Sequence, residues 1–148
     1  MGSKTDVFEN EFLLHIFNNS TIALIGDATG VRGSTTAGSL YFSLHTADPT
    51  DTAASGQPTS EVGYTSYARV AVARSGAGFT VTGNAVALAA NVTFPAGSGG
   101  SGTATHWGIG TDSSGTGKLL YSGAISPSIV CGSGVTPQLT AGTCVTED

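Results

Sequence analysis

From residue 39 onward the chain is a succession of short strand-forming runs, each closed by a cluster of Gly, Ser, Thr, Asn, Asp or Pro. Alternation of period two with turn residues between the runs suits antiparallel sheets. It does not suit helices or βαβ units. The clearest instance is Thr103–Gly123, TATHWGIGTDSSGTGKLLYSG, where Ala104–Thr111 and Leu119–Tyr121 flank a Gly/Ser/Thr/Asp stretch. This predicts a β-hairpin with an extended polar loop. Leu40, Phe42 and Leu44 alternate with Tyr41, Ser43 and His45 before Asp48-Pro49 ends the run. Tyr67–Arg74 alternates in the same way, with Tyr67, Arg69, Ala71 and Ala73 on one face. Phe79–Thr82 and Val86–Leu88 flank Gly83-Asn84, Val92–Phe94 stops at Pro95, and Ile129–Cys131, Val135–Leu139 and Cys144–Thr146 follow. About eight or nine short strands at this spacing predict an all-β, antiparallel β-sandwich, with a jelly roll as the expected double-sheet form. Immunoglobulin topology is the alternative, but Trp107 precedes both Cys131 and Cys144, against the Cys…Trp…Cys order of that fold.

The first 38 residues differ. Residues 5–18, TDVFENEFLLHIFN, carry Phe8, Phe12 and Ile16 at helical spacing with Leu13 and Phe17 beside them. Thr5 or Ser3 stands at the expected cap, and Asp6, Glu9 and Glu11 occupy the early turns, where the helix dipole favours negative charge. So short a helix is marginal alone and needs a surface to lie on, either this chain's own sheet or a partner. Residues 19–38 contain one short apolar run, Ile22–Ile25, and then a stretch from Asp27 to Gly38 with almost no packing residues, read as a mobile loop. The expected organisation is a short N-terminal helix and flexible arm over 1–38, and a β-sandwich body over 39–148.

Composition narrows the function classes. Charged residues make up 10% of the 148, against about 25% in ordinary soluble domains. Such a surface suits a chain packed against neighbours. The net charge is −5, and Lys4, Arg32, Arg69, Arg74 and Lys118 form no run. No nucleic-acid partner is expected, because tracking phosphates needs clustered cations. No membrane partner is expected either, since no stretch approaches the ~20 apolar residues of a span. Cys131 and Cys144 read as two buried free thiols, or as a disulfide if their strands lie side by side.

No set of residues gathers for chemistry. His15, His45 and His106 lack metal-ligand spacing and no Cys-x-x-Cys exists, so no metal or cofactor is expected. Gly115-Thr116-Gly117-Lys118 resembles the tail of a phosphate-binding loop. However, Asp112 stands where that loop needs Gly, Leu119 stands where it needs Ser or Thr, and a strand rather than a helix follows. Asp48, Asp51 and Asp112 could serve acid–base chemistry only if distant loops converged. The expectation is no catalytic residue and no enzyme. Trp107, with the other aromatic residues, is expected in the core or at a subunit interface.

Several segments, in order, resemble a family of small virion proteins of tailed bacteriophages. They are DVFENEFLLHIFN, LYFSLHTADP, YARVAVARSGAGFTVTG, VTFPAGSGGSGTATHWGIGTDSSGTGKLLYSG and SPSIVCGSGVTPQLTAGTCVTED, which together cover nearly the whole chain. Such sequences are often labelled tail-fibre-like. The closing pattern, His106-x-Gly108, then Gly117-x-Leu119-Leu120 and a final strand, also resembles jelly-roll capsid decoration or cement proteins. That resemblance implies a structural protein made in the host bacterial cytoplasm and carried on the capsid surface of the virion. It implies a homotrimer bound to the major capsid protein, with Phe8, Phe12, Ile16 and Trp107 as contact residues. The alternative it carries is a tail or tail-fibre component with a receptor- or glycan-binding role.

Overall fold

The computed structural model describes residues 3–50 and 56–147. Along the chain come helix α1 (Asp6–Asn18) and strands β1 (Ser39–His45), β2 (Val70–Ala73), β3 (Phe79–Thr82), β4 (Ala85–Leu88) and β5 (Val92–Thr93). They are followed by β6 (Ser101–Gly110), β7 (Leu119–Gly132), β8 (Gln138–Leu139) and β9 (Thr143–Thr146). Among the described residues the sheets have strand orders β2-β1-β6-β7, β3-β4-β9 and β5-β8. The pairs β1–β6, β3–β4, β4–β9, β5–β8 and β6–β7 are antiparallel. The fold is therefore all-β with one short N-terminal helix, the class of an antiparallel β-sandwich.

The chain divides into two compact units, one formed by the stretches up to Ser39, Ala73–Ala90 and from Ala141 on, the other by Leu40–Val72 and Asn91–Thr140. In the first, α1 packs on β3 and β4. Leu13 and Phe17 are fully buried, and the Phe17 ring meets Phe79 edge-on at 4.9 Å. Thr5 takes the N-cap position without a side-chain capping bond, so the cap expected there contributes only its carbonyl, which accepts from Glu9 N–H at 2.9 Å. The other end closes on Asn19 in the left-handed region, and the Arg74 guanidinium donates to the carbonyls of His15 and Ile16. A cation there satisfies orphan carbonyls and complements the dipole. Asn10 Nδ2 donates to Gly83 O at 2.9 Å, fixing the helix to the β3–β4 turn.

Residues 19–38 are tied down rather than loose. Ile22 and Val31 exchange backbone hydrogen bonds of 2.9 and 2.8 Å, and Asn19 and Ser34 exchange two of 2.7 Å through the Asn19 amide. Asp27 Oδ1 accepts from Thr29 N–H and Oγ1–H within the turn, which holds its carboxyl below the usual carboxylate value.

In the second unit the four-stranded sheet buries Phe42, Leu44 and Ile109. Trp107 lies across Gly123, its register partner: a Cβ on Gly123 would stand 2.5 Å from Trp107 Cζ2. The segment read as two strands, at Leu119–Tyr121 and Ile129–Cys131, is one strand. Thr105 alone faces the four residues Ile125–Ser128 between the Ala104↔Ile129 and His106↔Ala124 pairs, so β7 bulges there. Pro127 sits in that bulge on the sheet's edge, where its missing N–H removes no ladder bond.

Candidate contact loop and its clamp

The β6–β7 hairpin presents residues 111–118 as a loop whose positions 111–116 and 118 are exposed. Thr111 N–H donates to Lys118 O at 3.1 Å, and Lys118 N–H donates to Thr111 Oγ1 at 3.0 Å, which closes its base. A Gly/Ser/Thr loop of this kind is floppy by composition. Here two buried side chains from elsewhere in the sequence hold it.

The first is Gln57, fully buried. Its Nε2 donates to Tyr41 O at 3.0 Å, its Oε1 accepts from Asp112 N–H at 3.2 Å, and its backbone N–H donates to Gly117 O at 2.8 Å. The amide is wedged between two glycines. A Cβ on Gly110 would stand 2.2 Å from Gln57 Cδ, and one on Gly117 2.4 Å from Gln57 Oε1. The backbone can approach the amide only because neither position has a side chain.

The second is Arg69, whose side chain is 3% exposed. Nε and Nη2 each donate to one carboxylate oxygen of Glu61 at 2.8 Å, Nη1 donates to Asp112 O at 3.0 Å and Nη2 to Gly115 O at 2.9 Å. The planar fork engages a carboxylate and two carbonyls at once, which an ammonium could not match. The hydrogen bonds to Glu61 hold the guanidinium above its ordinary value. Tyr67 completes the network. Its hydroxyl donates to Glu61 Oε1 at 2.7 Å and accepts from Leu44 N–H at 3.1 Å. Burial, then the bond to Glu61, pushes the phenol pKa up, so Tyr67 remains a donor. Its ring stacks on Phe94 at 6.2 Å.

On β1, His45 and Ser43 are fully buried. His45 Nδ1 lies 2.7 Å from Thr59 O, and Nε2 lies 2.9 Å from Ser43 Oγ. Burial holds the imidazole below its ordinary value, and the bond to Thr59 and the charge of Glu61 only partly offset this. A neutral ring beside a carbonyl carries its proton on Nδ1, leaving Nε2 to accept from Ser43. The pair has no solvent access and works as a fastener for the segment carrying Gln57 and Glu61.

The sequence-predicted residues are distributed as follows. Phe8, Phe12 and Ile16 are half-buried on α1, with Phe8 and Phe12 rings 6.4 Å apart, while the fully inward line runs one position on through Leu13 and Phe17. Trp107 is half-buried on β6, 6.3 Å from Phe42, and belongs to the other compact unit. His45 and His106 are register partners on adjacent strands, a neighbourhood the sequence spacing does not reveal. His106 Nδ1 lies against Thr105 Oγ1 at 3.0 Å. His15 Nδ1 lies 2.7 Å from Ser20 O. Asp48 caps the N–H of Thr50 at 2.9 Å, Asp112 meets the clamp through its backbone, and Asp51 lies outside the described residues. Cys131 and Cys144 are free and lie in separate units. Among the described residues no group of three or more His, Cys, Asp or Glu could hold a metal ion, and no helix is long and apolar enough to cross a membrane.

Sequence reasoning missed Gln57, Glu61 and Arg69. The one available signal was Arg69 itself, a cation within the alternating run Tyr67–Arg74. The clamped loop presents Asp112, Ser113, Ser114, Thr116 and Lys118 to solvent. The family model described as Podophage GP4 fiber I protein gp80 matches residues 3–147. No curated protein matches the chain.

Proposed function

The chain belongs to the podophage GP4 fiber I protein gp80 family, a family of tailed-phage virion proteins, and we propose that it serves in the particle's fibre as a non-enzymatic contact module. The β6–β7 loop is the part that meets the host surface, and its ligand is polar, such as a glycan or a hydroxyl-rich receptor segment. The observation that carries this reading is the clamp. The buried side chains of Arg69 and Gln57 hydrogen-bond the backbone of a solvent-exposed loop, and a loop fixed before binding loses less entropy on binding. Binding residues sit preferentially on loops held by a rigid scaffold. The family description, which names a fibre, supports the same place in the particle.

The test is the copy number of the chain per purified virion, by quantitative mass spectrometry against the major capsid protein, with antibody labelling in the electron microscope. A few to some tens of copies, labelled at the tail, are expected. A number of the same order as the capsid protein, labelled over the head, would overturn the fibre reading in favour of capsid decoration.

A further inference from the structure

We propose that acid releases the β6–β7 loop: protonation of His45 unfastens the segment 56–62, and with it the Gln57 and Glu61 side chains that hold residues 111–118 in place. His45 stands where this segment crosses onto β1. It bridges Glu61 antiparallel, and its Nδ1 lies 2.7 Å from Thr59 O. On either side, Val62 N–H donates to Leu44 O at 2.9 Å and Thr46 N–H donates to Ser60 O at 2.7 Å. The segment is itself a closed turn with Gln57 inside it. Thr59 N–H donates to Gly56 O at 3.0 Å, and Thr59 Oγ1 accepts from Gly56 N–H at 3.1 Å. Gln57 reaches Asp112 and Gly117 directly, and Glu61 reaches Asp112 and Gly115 through Arg69. One imidazole therefore anchors both arms of the clamp.

The closed site has no room for a hydrated imidazolium. Nε2 lies 2.9 Å from Ser43 Oγ, and the Gly108 backbone presses so close that a Cβ there would stand 2.7 Å from Nε2 and 2.8 Å from Ser43 Oγ. Among the described residues the charged or titratable groups that face the ring are Glu61, Arg69 and His106. Glu61 on the segment favours a charged ring, whereas Arg69, next to β2, and His106, the register partner on β6, oppose it. Glu61 already gives both carboxylate oxygens to Arg69 and accepts from the Tyr67 hydroxyl. A charged ring in the closed site must go without water or draw Glu61 away from Arg69, while in the opened segment it is hydrated. Burial holds the closed-state pKa below the ordinary value, so opening takes up a proton. The opening equilibrium then rises as the pH falls below about 6.5, by at most about tenfold per unit, and is level below the closed-state pKa. Above about pH 6.5 the ring is neutral in both states and the clamp is at its firmest. The device acts on the order of the loop and does not depend on what the loop binds.

Amide hydrogen exchange in the purified full-length chain tests it. The reporters are the N–H groups of Gln57 and Asp112, which donate to Gly117 O and Gln57 Oε1. Their protection is measured from pH 7 to 5.5, corrected for the intrinsic exchange rate at each pH. Low concentrations of urea are added, because urea promotes global unfolding but hardly changes local opening. In wild type, protection at both amides is expected to change little with urea and to fall by about three- to eightfold over this pH range. The fall is expected to vanish in His45→Gln and in His45→Asn, and to persist in His106→Gln. Wild-type protection that is level with pH would overturn the proposal by itself. So would exchange that follows global unfolding, a fall that survives both His45 variants, or one that is lost in His106→Gln.

Discussion

Arg69 grips Glu61 through both carboxylate oxygens at 2.8 Å, and with its other N–H groups it holds the carbonyls of Asp112 and Gly115, 43 and 46 residues further along the chain. A buried guanidinium is tolerable only because the carboxylate neutralises it, and the surplus donors are then available to fix a loop. Removing either partner leaves the other charge buried and unpaired. Arg69→Ala is expected to destabilise the fold by about 3–5 kcal/mol, and Arg69→Lys to recover only part of that. The double variant Arg69→Ala/Glu61→Ala is expected to be more stable than Arg69→Ala alone. Urea unfolding measures the stabilities, and amide exchange in residues 111–118 reports the loop, which should exchange faster in every Arg69 variant.

The Gln57 amide requires the two glycines beside it. A methyl group on Gly110 would overlap Gln57 Cδ, which the Cβ position approaches to 2.2 Å. Gly110→Ala is expected to cost about 1–3 kcal/mol by overpacking. Adding Gln57→Ala removes the obstructing atoms, so the double variant should be more stable than the sum of the single changes predicts, a coupling that thermal or urea unfolding reads directly.

Stability should depend on pH through His45. Burial depresses its folded-state pKa, with Glu61 acting against the shift and Arg69 and His106 with it. Above about pH 6.5 the ring is neutral in both states and nothing is lost. As the pH falls below that value the unfolded chain takes up a proton that the folded one resists, so stability declines until the folded pKa is reached and is level below it. The readout is therefore the difference between wild type and His45→Gln in unfolding experiments from pH 7.5 to 5, and the acid-side decline should be shallower in the variant.

On α1 the consequential residues are those turned fully inward. Leu13 and Phe17 are completely buried, whereas Phe12 is only half-buried. Leu13→Ala is expected to cost about 2–5 kcal/mol and Phe17→Ala about 3–5 kcal/mol, with Phe12→Ala costing clearly less. Equal costs at all three would mean that the helix is rotated from the orientation described.

Neither cysteine should behave as a reactive thiol. Burial pushes Cys144 up to about 11 and raises Cys131 as well. The attacking species is the thiolate, so alkylation by iodoacetamide at pH 8 should be slow in the native protein at both sites and fast in urea.

Much of the fold was legible because its information is local. The Thr103–Gly123 hairpin, the alternating run at Leu40–His45, the Gly83-Asn84 turn and the N-terminal helix each rest on periodicity or turn chemistry within a few residues. β7 was read as two strands because Ser126-Pro127-Ser128 has the composition of a break, and only the position of Pro127 in an edge bulge reconciles it with one strand. On α1, Phe8, Phe12, Leu13, Ile16 and Phe17 form an apolar arc too broad for the sequence alone to show which line faces inward, and it is Leu13 and Phe17 that are fully buried. The clamp was not legible at all. Gln57 and Glu61 lie in an aperiodic polar stretch, and what unites them with Arg69 and Asp112 is tertiary packing.

The central claim is that the clamped β6–β7 loop is the surface that meets the host. The most direct measurement is competition: purified protein added to host cells before phage, with adsorption counted for wild type and for Asp112→Ala/Ser113→Arg at the exposed tip. The account predicts that wild-type protein blocks adsorption in a dose-dependent way and that the variant, equally folded by circular dichroism, blocks it at least about tenfold less well, the loss of roughly one good polar contact. Wild-type protein that does not block, or a variant that blocks as well as wild type, would contradict it.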